Sequence, residues 1–338
     1  MEISKSAVGR VKGLYALSAQ SYERIYGESE RERIRQLIDV YAPPQTPEML
    51  RQDPSVLRAA EVILSGWGAP VFTRELLDAA PNLRVVLYGA GTIKAIVTEE
   101  FWARGVRISS AWAANAVPVS EYTLACIIFG LKSLWQHAAQ TRQTRRFVRL
   151  PVAGAFGSTV GLVSLGMVGR KVAERLTSLD VHVIAYDPYV TAEEGVALGV
   201  EMVSLEEVFR RSDVVSVHTP WLKETEGLVT GAHLASMKPG ATFINSSRGA
   251  VIREAEMIEV LRGRPDLWAV LDVTYPEPPA QDSPLYDLPN VFLTPHIAGS
   301  VGVECHRQAQ YMIEELERFI AGQPLRYELT RERLSIMA

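Results

Sequence analysis

Three short segments carry residue types that could reduce or oxidise a carbonyl carbon. They are Asn245-Ser-Ser-Arg248-Gly249, Leu271-Asp-Val-Thr-Tyr-Pro-Glu277-Pro278 and Thr294-Pro-His296-Ile-Ala-Gly-Ser300. An arginine can clamp a carboxylate through two parallel N–H donors and polarise a neighbouring carbonyl. A histidine titrates near neutrality and can give or take a hydroxyl proton. A glutamate beside it orients the ring and stabilises the imidazolium form. Each residue also has a plainer reading: Arg248 as a surface arginine after a turn, Glu277 as loop between prolines. Arg248, Glu277 and His296 become a candidate catalytic set only if one scaffold brings them together.

That scaffold is legible in the apolar runs. Strands are predicted at 159–165, 181–185, 214–217, 242–245, 269–272 and 291–293, with helices between them, for example 205–211 and 254–262. Six strands with crossover helices suffice for a doubly wound nucleotide fold, which binds ligands beyond the carboxyl ends of its strands. All three chemical segments lie at such ends. The first strand runs into a glycine turn at Gly166, followed by Val168, Val172 and Leu176 at helical spacing. The N–H groups of Met167 and Val168, at a helix start, suit a phosphate. Of the G-x-G-x-x-G pattern, Gly166 and Gly169 are present and Ser164 holds the first place, at a cost in strain if φ is positive there. Asp187 ends the next strand 187 − 166 = 21 positions after Gly166. A carboxylate there accepts from ribose hydroxyls and repels a 2′-phosphate. The following Pro188-Tyr-Val-Thr-Ala-Glu-Glu holds no Lys or Arg, so NAD is expected rather than NADP.

Residues 1–115 alternate short strands (12–18, 61–65, 83–88) with helices, implying a parallel sheet of flavodoxin-like character that ends one strand in Gly89-Ala-Gly91. Within the charged stretch 21–36, Glu28-Ser-Glu-Arg-Glu-Arg33 reads as a solvated helix face, with a partner site as the alternative. A helix at 121–134 is apolar nearly all round, as one buried between layers would be. The basic segment 142–149 could bind phosphate; the plainer reading is a surface loop or subunit arm. Residues 303–320 form an amphipathic helix. Trp67, after a strand end, either shapes a substrate pocket or packs in a core or interface.

Composition narrows the class. The chain has 338 residues, enough for two domains, with 47% hydrophobic and 22% charged residues and a net charge of −4. Nothing in that balance calls for nucleic acid. No apolar run approaches the roughly 20 residues of a membrane span, and Met1-Glu-Ile-Ser-Lys-Ser lacks the layout of a signal peptide. Cys126 and Cys305 stand alone, which suggests a reducing cytoplasm and no metal site.

From about residue 60 onward the sequence resembles the D-isomer-specific 2-hydroxyacid dehydrogenase family. The resemblance is carried by the glycine motif at 161–169, Asp187, Val217-His-Thr-Pro220, Asn-Ser-Ser-Arg-Gly, Asp-Val-x-x-x-Glu-Pro and Thr-Pro-His-x-Ala-Gly. It implies two Rossmann-like or flavodoxin-like α/β domains with a cleft between them. Residues 1–115 plus 297–338 would bind substrate, and 116–296 would bind NAD. By the same resemblance Arg248 binds a 2-oxo acid, His296 is the general acid/base and Glu277 is its partner. Gly166, Met167, Val168, Gly169, Thr219, Ser246 and Gly299 line the cofactor with Arg248 and His296, and Asp272 faces the nicotinamide amide. Gly89, Ala90 and Gly91 offer N–H groups to the substrate carboxylate, a nest-type anion site. His218 falls at a family position beside the cofactor and reads as structural. The implied partner is a small 2-oxo or 2-hydroxy acid, without nucleic acid or membrane, and the implied assembly is a homodimer with 120–150 as its arm. Met167 stands where many relatives carry Arg, and Thr92-Ile-Lys94 replaces a common aromatic-Asp-Asn. Lys94 is either a solvated lysine or a charge for an anionic group beyond the carboxylate. Two other readings of the scaffold are an NADH-sensing regulatory protein and a dehydrogenase of a small anion such as formate or phosphite.

Overall fold

Aliphatic and β-branched runs buried on both faces build two parallel sheets, as the pattern of short apolar strands requires. The computed structural model describes residues 9–334, so the reading of Met1 to Ser6 lies outside the described residues. The chain divides into two α/β units, Met1–Asn115 with Ser300–Ala338, and Ala116–Gly299.

In the first unit, β1 (Lys12–Ala16), β2 (Asp39–Val40), β3 (Val62–Ser65), β4 (Val85–Tyr88) and β5 (Arg107–Ser110) form a parallel sheet. Their order is β2-β1-β3-β4-β5, the flavodoxin-like arrangement, with Glu328–Leu329 antiparallel to β5. Pairing of Ser65 with Tyr88 sets Gly66 beside Gly89 at the carboxyl edge. The predicted C-terminal helix is Cys305–Ile320, and it packs Ala309, Met312 and Leu316 against Val62, Leu64 and Val85. One charged residue on that helix, Glu315, is fully buried. Its carboxylate accepts from Ser109 Oγ at 2.6 Å and from the N–H groups of Arg326 and Tyr327 at 2.9 and 3.0 Å, which fastens the antiparallel edge.

The second unit holds β6 (Thr159–Val163), β7 (His182–Tyr186), β8 (Glu201–Met202), β9 (Val214–Val217), β10 (Thr242–Asn245), β11 (Trp268–Leu271) and β12 (Val291–Leu293). The order β8-β7-β6-β9-β10-β11-β12 is doubly wound, with its switch point between β6 and β9. β8 is a seventh strand beyond the six expected. It is only two residues long, too short for an alternation signal.

Helix α1 runs from Trp112 to Leu131, beginning well before the expected 121. Pro118 reads as a stop in the sequence but lies inside the helix. At 20 residues and a mean hydropathy of 1.3, α1 is long and apolar enough to cross a membrane, which corrects the expectation that no stretch approached that length. More than half of that span is buried within the protein, and the helix also carries Asn115, Ser120 and Glu121.

His218, directly after β9, is buried, and neither ring nitrogen has a partner among the described residues. Burial pushes its pKa down to about 4. The unfolded chain therefore binds the extra proton between roughly pH 6.5 and 4, so stability falls as pH drops through that window. Urea unfolding of wild type and His218→Leu at pH 7 and pH 4 should show the wild type losing about 3 kcal/mol more than the variant across that range.

Candidate active site

The glycine turn is built at the carboxyl end of β6. Helix α2 (Met167–Leu176) starts at once, with Gly166 as its N-cap. Among the described residues the N–H groups of Gly166, Met167, Val168 and Gly169 have no partner, and a Cβ on Gly166 would meet nothing within 4 Å. This is an open cradle of donors at a helix N-terminus, and it fits a pyrophosphate. Gly169 is required for another reason: a Cβ there would lie 2.1 Å from the carbonyl oxygen of Ser164. Ser164 has φ of 77°, so the serine occupies the left-handed conformation that favours glycine. Its hydroxyl lies 2.9 Å from that of Thr219, which follows β9, and this pair crosses the switch point.

Asp187 follows β7, half-buried. Oδ2 accepts from Leu165 N at 2.7 Å and Oδ1 from Tyr189 N at 2.8 Å. Each oxygen keeps a lone pair, so the carboxylate both holds the glycine turn and can accept from ribose hydroxyls.

The three chemical segments follow β10, β11 and β12. Asn245 shapes the first as an Asx turn, accepting from Ser247 N (3.0 Å) and donating Nδ2 to Arg248 O (3.1 Å). Gly249 packs against backbone: a Cβ would stand 2.0 Å from the carbonyl carbon of Thr274. Only glycine permits this approach of the arginine loop to the glutamate loop. Arg248 is half-buried, and burial pushes its guanidinium pKa down while the charge of Glu277 opposes the shift. His296 Nδ1 lies 2.6 Å from Glu277 Oε1, with both side chains partly exposed. His296 itself has φ of 54°, a left-handed conformation uncommon for a non-glycine residue.

Asp272 holds that turn. Its Oδ1 accepts from Thr294 Oγ1 (2.6 Å) and Ile297 N (2.8 Å), its Oδ2 from Ala298 N (2.8 Å), and its carbonyl from His296 N (3.0 Å). The carboxylate is thus directed at its own loop. Gly299 follows Ala298 at the end of this unit. Ser246 is buried, with its Oγ 3.2 Å from Thr123 Oγ1, and Thr294 Oγ1 lies 2.9 Å from Tyr122 Oη. Sequence alone gives Tyr122 and Thr123 no role, and Thr294 only its place at the head of the Thr-Pro-His segment. They are ordinary helix and loop residues there, and only the folded arrangement gives them partners.

In the first unit, the N–H groups of Gly89 and Ala90 are already bonded, to Ser65 O (2.9 Å) and Tyr88 O (2.8 Å). The donors without a partner among the described residues are those of Gly91, Thr92 and Ile93. Trp67 is half-buried with the Arg24 guanidinium 5.4 Å from its ring centroid, and Lys94 is exposed.

Comparison with known proteins agrees with this architecture. Residues 124–298, just over half the chain, match the family model described as D-isomer specific 2-hydroxyacid dehydrogenase, NAD binding domain. The expected NAD cofactor is therefore supported at the level of the domain. The D-3-phosphoglycerate dehydrogenase of Mycobacterium tuberculosis (strain H37Rv) is 34% identical over 251 residues, 74% of this chain and 47% of that protein. Its counterpart from Bacillus subtilis (strain 168) is 33% identical over 258 residues, 75% of this chain and 48% of that protein. The chain spans about half the length of these curated relatives. Among solved structures, the apo form of Rhodotorula graminis D-mandelate dehydrogenase aligns with a TM-score of 0.78 at 26% identity, over 96% of this chain and 98% of that one. Fold, cofactor cradle and family match converge, and the chain belongs to the D-isomer specific 2-hydroxyacid dehydrogenase family.

Proposed function

We propose that this chain is an oxidoreductase that transfers a hydride between NAD(H) and C2 of a D-2-hydroxy acid or its 2-oxo partner. The observation that carries the reading is the 2.6 Å contact of His296 Nδ1 with Glu277 Oε1, beside a half-buried Arg248 that feels the Glu277 charge. A 2-oxo acid offers a carboxylate and an adjacent carbonyl, which suits a guanidinium able to bind one and polarise the other. Glu277 occupies Nδ1, which leaves Nε2 to give its proton to the carbonyl oxygen in reduction and to take it back in oxidation. The nicotinamide, when bound, supplies or accepts the hydride. The donors of residues 166–169 would hold its pyrophosphate and Asp187 its ribose hydroxyls, with Thr219, Ser246, Asp272 and Gly299 around the same edge. The first unit would serve as the substrate domain, offering its carboxylate the free N–H groups at 91–93. Similarity to D-3-phosphoglycerate dehydrogenases and to a D-mandelate dehydrogenase supports a substrate among the 2-hydroxy acids.

We read the assembly as a homodimer. Phe129, Leu134, Phe147 and Phe156 are exposed apolar side chains within the expected arm and just beyond it, with Phe147 fully exposed. A cytoplasmic setting suits Cys126 and Cys305, which are free and buried.

A panel of 2-oxo acids varying in size and charge, followed by NADH consumption, tests the enzyme reading. Turnover with at least one supports it; NADH binding without turnover across the panel would favour a sensor. His296→Ala should lower kcat by roughly 100- to 10,000-fold while NADH affinity stays within a fewfold. Arg248→Lys should lose bidentate binding and raise KM for the oxo acid by at least tenfold, and an unchanged kinetic profile would remove that role. Phe147→Asp should shift sedimentation from dimer toward monomer; a wild type already monomeric refutes the arm.

A further inference from the structure

Two consecutive residues on α1 reach the loops that carry the acid/base and the arginine. Tyr122 Oη lies 2.9 Å from Thr294 Oγ1, which donates to Asp272 Oδ1 at 2.6 Å. The same Asp272 oxygen accepts from Ile297 N, and its carbonyl accepts from His296 N. Tyr122 is therefore three hydrogen bonds from the backbone of the left-handed His296 turn. Thr123, fully buried, bonds Ser246 Oγ at 3.2 Å, two residues before Arg248. Neighbouring positions on a helix point about 100° apart. One turn of helix can therefore brace β10 and β12, the two strands that flank β11.

We propose that Tyr122 and Thr123 are positioning residues, with Tyr122 fixing the His296 turn through Thr294 and Asp272 and Thr123 fixing the Arg248 loop through Ser246. The inference rests on the dehydrogenase reading for its kinetic consequence and on the contacts alone for its structural one. His296 needs this support for a physical reason. A non-glycine residue at positive φ costs of order 1–3 kcal/mol and persists only where its surroundings over-determine it. Burial pushes the Tyr122 hydroxyl pKa upward, so it stays protonated and can share its bond with Thr294 at any working pH. The two braces act on different chemical roles, the proton and the carboxylate, so their loss should separate kinetically.

The test uses the full chain as Tyr122→Phe, Thr123→Val and Thr123→Ser. Tyr122→Phe should lower kcat about tenfold with KM for the 2-oxo acid within about twofold, since a slightly misplaced acid is felt in turnover. It should also speed amide exchange at Ile297 and Ala298, with exchange elsewhere in the unit unchanged. Thr123→Val should raise KM about tenfold with kcat nearly kept, and Thr123→Ser should restore it. Equal losses in kcat and KM for both variants, with exchange raised throughout the unit, would mean a merely structural role and overturn the proposal. Wild-type kinetics in both variants would overturn it too. A wild-type chain inactive on every 2-oxo acid would sink the dehydrogenase reading instead. Exchange at Ile297 and Ala298 then still decides whether Tyr122 fixes the His296 turn, and unchanged protection in Tyr122→Phe refutes it.

Discussion

Asp272 is a buried carboxylate at the end of β11, and three donors converge on its two oxygens: the Thr294 hydroxyl and the N–H groups of Ile297 and Ala298. A charge placed there without partners would cost several kcal/mol, so the donors are obligatory. Each is a charge-assisted bond of the stronger kind. Their geometry can be met only if the chain after β12 curls back over the end of β11. That curl puts His296 at positive φ with its ring within reach of Glu277. One carboxylate thus fixes the turn that sets the His296 ring beside Glu277. The exposed ring itself contributes little to holding the turn.

Close backbone approach does comparable work at two glycines. Gly169 lets α2 start directly above the Ser164 carbonyl, and Gly249 lets the arginine loop lie on Thr274. Both are steric requirements of packing, distinct from the left-handed requirement that Ser164 meets without being glycine. The cofactor cradle and the arginine loop therefore depend on missing side chains as much as on those present. A sheet edge crowded with Cβ atoms could not bring these loops so close to their neighbours.

Much of this was legible in the sequence because it is local. Apolar runs mark every strand of the second sheet but β8, and β1, β3 and β4 of the first, while β5, built of an arginine, an isoleucine and two serines, escapes; the spacing from Gly166 to Asp187 marks the turn of open N–H donors after β6. The segments around Arg248, Glu277 and His296 fell at strand ends, where a doubly wound sheet uses its residues. What escaped was short or non-local. β8 is two residues long, and Pro118 disguised the first turns of α1. Gly89 and Ala90 stood out as anion donors, yet pairing with Ser65 and Tyr88 consumes their N–H groups and shifts the free donors to 91–93. Tyr122, Thr123 and Thr294 matter through partners more than 100 positions away or through a shared carboxylate, a relation that no periodicity encodes.

The serine at position 164 has a consequence for how this chain can change over evolutionary time. Its left-handed backbone is unfavourable, and its hydroxyl recovers part of that cost through Thr219 across the switch point. The two positions are thereby linked: replacing Thr219 alone strands a strained serine, while a glycine at 164 leaves the buried Thr219 hydroxyl only its longer 3.5 Å bond to Val163 O. Neither substitution is neutral by itself, whereas the pair exchanged together escapes both penalties. The departure from the glycine fingerprint is thus energetically coupled to Thr219, so the two positions should not behave additively when substituted.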